Sequence, residues 1–309
     1  HGIHRNLNMY LRQPDARILA VCDVFKSRRK KAKGMVDNHN KNKDCTTHND
    51  FREILARKDI DTVMISTPDH WHTLMSLMAL RAGKDVQCEK PTLTIAEGRL
   101  LADTVKARKA VFQTSTEDRS MRVYHRLAEL VRNGRIGRLK TIRVKLPAGN
   151  RWPTGKPVKV PDDLDYDLWL GPAQDEPIFR EKLQYDWHWN WNTGSGEMGN
   201  WGIHILDDVR NVVFRDSVKV PKRIQSLGGR VVWNDAGATP NVQMVAIDTG
   251  SIPVQIQLMN IAAKPGGKKS PKHMGPGSGY IVQCADGHYE GRRGGGVAFD
   301  PDGQEIKTF

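Results

Sequence analysis

The first 115 residues alternate short apolar runs with longer stretches of helical character, and this alternation restricts the fold more than any other feature. "ARILAVCD" (16–23), "DTVMIST" (61–67), "KDVQCE" (84–89) and "AVFQTS" (110–115) have strand length. Between them, helices are expected over 2–12, about 26–36, the short "NDFREILAR", 68–82 and 94–108, with "DNHNKNKD" as a polar loop. Strands of this length separated by helices demand a parallel, doubly wound sheet, and near-continuous apolar strands such as "TVMIS" fit burial on both faces. After a helix at about 121–133 the pattern changes. "RLKTIRVKL" (138–146) alternates with period two, as a half-exposed strand does. A Pro/Asp/Trp-rich excursion occupies 147 to about 195, "WGIHILDDVRNVVF" (201–214) has helical spacing, and from 222 onward strands separated by Gly, Pro and Asp turns predict a largely antiparallel sheet. The expected class is α/β: a Rossmann-type parallel sheet over 1–118 and an α/β domain with an open, mostly antiparallel sheet over 119–309.

Length and composition allow this. A chain of 309 residues with 38% hydrophobic content buries a substantial core. Lys and Arg exceed Asp and Glu by 48 to 35, which favours anionic partners, yet the excess is dispersed. Its densest run, "KSRRKKAK" (26–33), reads as a solvated face, so neither nucleic acid nor membrane is an expected partner. Cys22, Cys45, Cys88 and Cys284 show no CxxC spacing and read as buried free thiols. The chain opens on His1 without methionine and ends in a strand-like "IKTF", which reads as a piece of a longer protein. A cytoplasmic location is expected, or an exported one if a signal has been removed. "AAKPGGKKSPKHMGPGSG" and "RRGGGV" are expected to be mobile loops.

Three positions carry chemistry. Asp23 ends a strand where a dinucleotide-binding sheet places the acidic acceptor for the adenosine ribose, although a plain turn or cap aspartate would look the same. Asp23 disfavours a 2′-phosphate while Arg28 and Arg29 could attract one, and NAD is expected ahead of NADP. In "STPDHWH" (66–72), Thr67 can cap the next helix with Pro68 at its first position. His70 and His72 there share no spacing with acidic or cysteine ligands, so packing or cofactor contact is expected and no metal. In "VQCEKP" (86–91), Pro91 keeps Lys90 out of the helical region, so it projects from an extended strand tip at the ligand edge of the sheet. Beside an oxidised nicotinamide, a lysine loses pKa and can exchange the proton of a reacting hydroxyl. A surface ion pair, the plainer alternative, explains neither its position nor the proline.

The acidic end of "ARILAVCD", "TPDHWH", "EKP" and "GSGEMGNWGIHILD" occur in an order that resembles the glucose-fructose oxidoreductase / inositol dehydrogenase / MocA (Gfo/Idh/MocA) family of nicotinamide-dependent sugar and polyol oxidoreductases. "LDYDLWLGPA" (164–173) is similar to a stretch common in bacterial members expected to act on carbohydrates. The resemblance implies that Asp23 binds the adenosine ribose and that Ser66, Pro68, His70 and His72 line the cofactor. It also puts Glu89 and Lys90 beside nicotinamide and substrate. The family's Asp-x-Gly-x-His motif matches Asn200, Gly202 and His204, which implies proton exchange by His204 with Lys90 as partner or competitor. Arg119 matches a common basic substrate contact.

This sequence departs from the family in two places. Asn200 replaces an aspartate, removing a charge that would raise the histidine's pKa. No glycine-rich phosphate loop precedes the helix at 2–12, so weak dinucleotide binding by this chain is expected. Four of the eight tryptophans lie in "DWHWNWNTGSGEMGNW". Trp189 and Trp191 beside His188 suit a sugar, which needs an apolar platform and fixed hydrogen bonds; alternate tryptophans packing a core from a strand are the competing reading. The expected function is NAD-dependent oxidation of a secondary alcohol in a sugar or polyol. The rivals are an NAD-dependent glycosidase, working by transient oxidation and elimination, and a non-catalytic sugar- or nucleotide-binding protein. Self-association through the open sheet is expected, since such a sheet must be covered.

Overall fold

A computed structural model describes residues 2–147, 152, 156–180, 183–262, 278–292 and 294–309. The chain divides into two compact units. The first takes residues 1–115 and also 155–187 and 192–194, so the excursion returns to it. The second takes 116–154, 188–191 and 195–309. The single crossing near residue 118 drawn from the sequence is therefore replaced by several.

In the first unit a helical segment (Gly2–Leu7, continued by α1, Asn8–Leu11) precedes β1 (Ala20–Cys22). There follow α2 (Lys26–Asn40), β2 (Thr46–His48), α3 (Phe51–Leu55), β3 (Thr62–Ile65), α4 (Asp69–Arg81), β4 (Asp85–Cys88), α5 (Ile95–Arg108) and β5 (Phe112–Thr114). All strand pairs are parallel, in two ladders: β1 with β2, and β3 with β4 and then β5. Ile65, Val86, Cys88, Ala79, Leu80 and Leu101 form a core between strands and helices. Thr94 caps α5 in a capping box with Glu97, satisfying donors that the first turn leaves open.

Three local expectations change. The "DNHN" part of the expected loop is the last turn of α2. β2 was not anticipated, because "TTH" is polar and too short to show a period. Pro68 is the cap of α4 rather than its first residue: its ψ of 159° is extended, so the helix begins one position later. The basic run does lie on an exposed face, with Ala32 and Val36 turned into the core. Cys45, Cys88 and Cys284 are buried, whereas Cys22 is exposed; all four are free thiols.

From the excursion, α7 (Tyr166–Leu170) and α8 (Leu183–Asp186) bring Leu164, Trp169, Ile178 and Leu183 onto Phe25, a separate apolar cluster within the first unit.

In the second unit, α6 (Arg122–Arg132) and α9 (Ile203–Val212) lie against an eight-stranded mixed sheet. Its strands are β6 (Leu139–Leu146), β7 (Arg223–Gly229), β8 (Val242–Asp248), β9 (Val254–Met259), β10 (Gly279–Cys284), β11 (His288–Arg292), β12 (Gly295–Phe299) and β13 (Glu305–Thr308). Their order is β13-β12-β11-β10-β6-β9-β8-β7, antiparallel except for the β6–β9 pair. Ile142, Val144, Leu146, Val254, Ile256 and Leu258 point to one face, where Ile205, Val209 and Val212 meet them. On the opposite face Leu227 pairs with Met244 at 81% and 50% exposure. "RRGGGV", expected as a mobile loop, supplies the start of β12: its glycines let the β12 backbone run against Tyr289, where a Cβ on Gly296 would come within 2.2 Å of the Tyr289 hydroxyl. Most of "AAKPGGKKSPKHMGPGSG" lies outside the described residues. No helix among the described residues is long and apolar enough to cross a membrane.

Candidate functional site

In the first unit the motif residues gather at the carboxyl ends of parallel strands, the edge where such sheets receive ligands. Asp23 follows β1, and its Oδ1 accepts the Phe25 N–H at 2.9 Å. Burial is the main cause that raises its pKa above the ordinary carboxylate value, offset in part by that hydrogen bond and by Arg28 and Arg29. Ser66 follows β3, and Glu89 and Lys90 follow β4; the Lys90–Pro91 peptide is cis.

Asn6 connects two of these ends. Its Nδ2 donates to Ser66 Oγ at 2.8 Å and to Glu89 Oε1 at 2.7 Å. Sequence reading missed Asn6, although a signal existed: it interrupts the apolar stripe of Ile3, Leu7 and Tyr10 with an amide.

The two histidines of "DHWH" turn inward and hold main chain. His72 is 1% exposed, with Nδ1 2.6 Å from the Pro91 carbonyl oxygen and Nε2 2.9 Å from that of Thr67, so it ties the end of β3 to the Lys90–Pro91 turn. His70 places Nε2 3.0 Å from the Trp169 carbonyl and Nδ1 3.3 Å from that of Thr193, and burial lowers its pKa. Trp71 Nε1 donates to the same Trp169 carbonyl at 3.0 Å. Gly171 must be glycine: its φ is +51°, and an added Cβ would lie 1.9 Å from Trp71 Cζ2. Of the histidines expected along the cofactor, His72 thus acts on the backbone beside Ser66 and Lys90, and His70 on that of Trp169 and Thr193.

In the second unit Asn200 lies in a π-helical turn, Met198–Gly202, that runs into α9. Asn200 and His204 are one turn apart, both 7% exposed, and Asn200 Nδ2 lies 3.4 Å from Glu197 Oε2. The Trp201 ring stands edge-on to His204 at 6.2 Å. A Cβ at Gly202 would meet Leu146 of β6 at an ordinary contact distance of 3.5 Å, so the turn packs against that strand.

Arg119, expected as a substrate contact, is committed elsewhere. Its Nε and Nη2 donate to Asp207 at 2.5 and 2.6 Å, and its Nη1 and Nη2 to Asp216, both at 2.8 Å. Asp207 is on α9, so this fork fixes the helix that carries His204. The tryptophan run forms short helical turns, α8 and a 3₁₀ turn at Trp187–Trp189, and not a strand. His188 and Trp189 are buried, while Trp191 is 55% exposed. Among the described residues no group of three or more His, Cys, Asp or Glu is placed to hold a metal ion.

The dinucleotide fits the donor set of the first unit. Asp23 offers a carboxylate acceptor, and Ser66, Glu89 and Lys90 cluster on neighbouring strand ends. Known proteins agree. Residues 3–116 match the oxidoreductase family with an NAD-binding Rossmann fold, and residues 124–246 match that family's C-terminal alpha/beta domain. A D-xylose 1-dehydrogenase (NADP(+)) from Hypocrea jecorina is 35% identical over 95 residues, 30% of this chain and 24% of that protein. A glycosyl hydrolase family 109 protein from Saccharopolyspora erythraea is 34% identical over 130 residues, 38% of this chain and 28% of that one. Such matches span about a quarter of those relatives' length. The crystal structure of a 3-ketoreductase from Actinomadura kijaniata, solved with NADP and TDP-benzene, superposes with a TM-score of 0.68 at 14% identity, covering 99% of this chain and 79% of that one. With both of its domains matched and its motif residues gathered on the strand ends, the chain belongs to the Gfo/Idh/MocA oxidoreductase family.

Proposed function

We propose that the protein oxidises a secondary alcohol of a sugar or polyol, using NAD. The observation that carries this reading is the fixed Glu89–Lys90–Pro91 turn. Asn6 holds Glu89, and His72 holds the Pro91 carbonyl. Asp23 accepts the adenosine ribose, Ser66 and Pro68 line the cofactor edge, and the nicotinamide, when bound, accepts hydride. Lys90 takes the hydroxyl proton at its Nζ, in the neutral form that a neighbouring positive ring favours. His204, carried by the turn that bears Asn200, is the second unit's candidate for proton exchange. Trp191 and His188 supply the aromatic and polar contacts of a carbohydrate. Arg119 is better read as the anchor of α9 than as a substrate contact. The exposed sheet face around Leu227 and Met244 supports association with a second copy.

A second reading has one observation in its favour, the family 109 glycosyl hydrolase similarity. There the same residues would oxidise a glycoside transiently and then assist elimination and hydration, with no net redox change. Steady NADH formation from free sugars supports the dehydrogenase, whereas release of an aryl leaving group without added cofactor supports the hydrolase. In either assay Lys90→Met is expected to lower kcat about 10²–10⁴-fold, the usual scale of general acid–base catalysis, with NAD affinity nearly unchanged. Wild-type turnover in this variant would sink the assignment of Lys90.

A further inference from the structure

The excursion that joins the first unit seats itself on the ribose end of the cofactor edge. Residues 163–165 run against the chain just after Asp23. Phe25 and Leu164 form an antiparallel bridge, the Lys26 N–H donates to the Asp163 carbonyl at 3.0 Å, and the Asp165 N–H donates to the Val24 carbonyl at 3.0 Å. The Asp163 side chain then caps α2 from 136 residues away. Its Oδ1 and Oδ2 lie 2.9 and 3.3 Å from the Ser27 amide nitrogen, and Oδ2 accepts the Ser27 hydroxyl. The α2 cap position itself, Phe25, has no side chain able to do this.

That placement removes what a phosphate would use. Free N–H groups in the first turn of a helix receive anions, and here a carboxylate occupies them. The two nearby arginines are also engaged. Arg29 Nη1 donates to the Asp23 carbonyl and, at 2.5 Å, to Asn49 Oδ1, and Asn49 in turn donates to Asp165 at 2.5 Å. Arg28 lies over the Phe25 ring at 4.7 Å. The hydrogen bonds from Ser27 hold the Asp163 carboxyl below the ordinary range, so it is charged at neutral pH, and its charge is felt at Asp23.

We propose that Asp163 is a specificity-determining residue: with Asp23, it rejects a phosphate on the adenosine 2′-hydroxyl and makes the first unit selective for the non-phosphorylated dinucleotide. This rests on the cofactor reading above, in which Asp23 accepts the ribose. It also assigns a task to an aspartate on a segment remote in sequence from the nucleotide-binding motifs.

The test is calorimetric titration of the 309-residue chain with ADP-ribose and with 2′-phospho-ADP-ribose. Wild type is expected to bind ADP-ribose more tightly by roughly tenfold or more, the scale of one close like-charge contact at a partly exposed site. Asp163→Asn keeps a good capping oxygen while removing the charge. It is expected to tighten 2′-phospho-ADP-ribose by about tenfold and to leave ADP-ribose within about twofold. Ser27→Ala loosens the seat but keeps the carboxylate, and should preserve the wild-type ratio. If Ser27→Ala shifts the ratio as much as Asp163→Asn does, seating rather than charge sets selectivity and the proposal fails. If both probes bind but Asp163→Asn leaves the ratio unchanged, the proposal alone is overturned. If neither probe binds wild type, the cofactor reading falls and takes the proposal with it.

Discussion

The two units fix their functional side chains by opposite means. In the first, buried imidazoles sit between backbone carbonyls: His72 between Thr67 and Pro91, beside the strand ends that carry Ser66 and Lys90, and His70 between Trp169 and Thr193. In the second, α9 and its His204 are held by a guanidinium forked between two carboxylates, Arg119 with Asp207 and Asp216. A main-chain tie needs close packing, and at His70 the same burial disfavours the charged ring. A charge tie needs both partners ionised and tolerates solvent, since Arg119 and Asp216 keep 32% and 42% side-chain exposure. The first arrangement should therefore fail by overpacking or mild acid, the second by losing its cation.

Overpacking gives the largest effect. Gly171→Ala would put a Cβ into the Trp71 ring and impose positive φ on an alanine. Strain at such a φ and a crowded core add to about 3–5 kcal/mol. Chemical denaturation should show this loss in the first unit, with the excursion segment bearing Asp163 and Trp169 released first in hydrogen exchange. Wild-type stability would mean that the seat around Trp71 is loose, and the contrast between the units would go with it.

Arg119→Met tests the other side. It leaves Asp207, whose side chain is 10% exposed, without its cation. Breaking a fully buried pair costs about 3–5 kcal/mol, and the partial exposure here lowers the expected loss to about 2 kcal/mol. Arg119 raises its own pKa through these bonds and holds Asp216 below the ordinary carboxylate range. If Arg119 serves only to anchor α9, KM for a sugar should change less than kcat. A selective rise in KM would return Arg119 to the substrate.

The sequence displays the first arrangement in part. Strand ends, "TPDHWH" and "EKP" are readable because a parallel sheet puts residues at fixed register positions on one edge. The carbonyl partners of His70 and His72 are not readable, since any residue presents a carbonyl and Trp169 and Thr193 lie about a hundred positions away. For the same reason Asp163 escapes notice: its target is a backbone amide of α2. In the second unit the Asn200–His204 spacing is legible on a helix, but the tryptophans left a sugar platform and a core-packing strand both open, and the chain makes tight helical turns there. Period-two alternation of large rings occurs in both, and tertiary contacts decided between them: the Trp189 carbonyl accepts the Ala238 and Thr239 amides. β2 and Asn6 were missed for different reasons, one having no periodic signal and the other breaking a period that was present.

The smallest expected effect concerns charge on the first unit's ties. Burial lowers the pKa of His70 from its ordinary 6.5, and the neighbouring His72 pushes the same way. The unfolded chain takes up a proton on His70 near pH 6.5, while the folded chain resists it to lower pH. Between these values the unfolded state binds more protons, so folding stability falls as pH drops through 6.5 and is recovered as pH rises. His70→Asn keeps an amide donor for the Trp169 carbonyl but cannot titrate. Urea midpoints of wild type and variant, compared at pH 7.5 and 5.5, should show the wild type losing more stability on acidification. Equal losses would mean that His70 titrates alike in the folded and unfolded chain, and a smaller loss in the wild type would mean that His70 is charged in the folded protein, donating to both carbonyls, so that both units rely on cations after all.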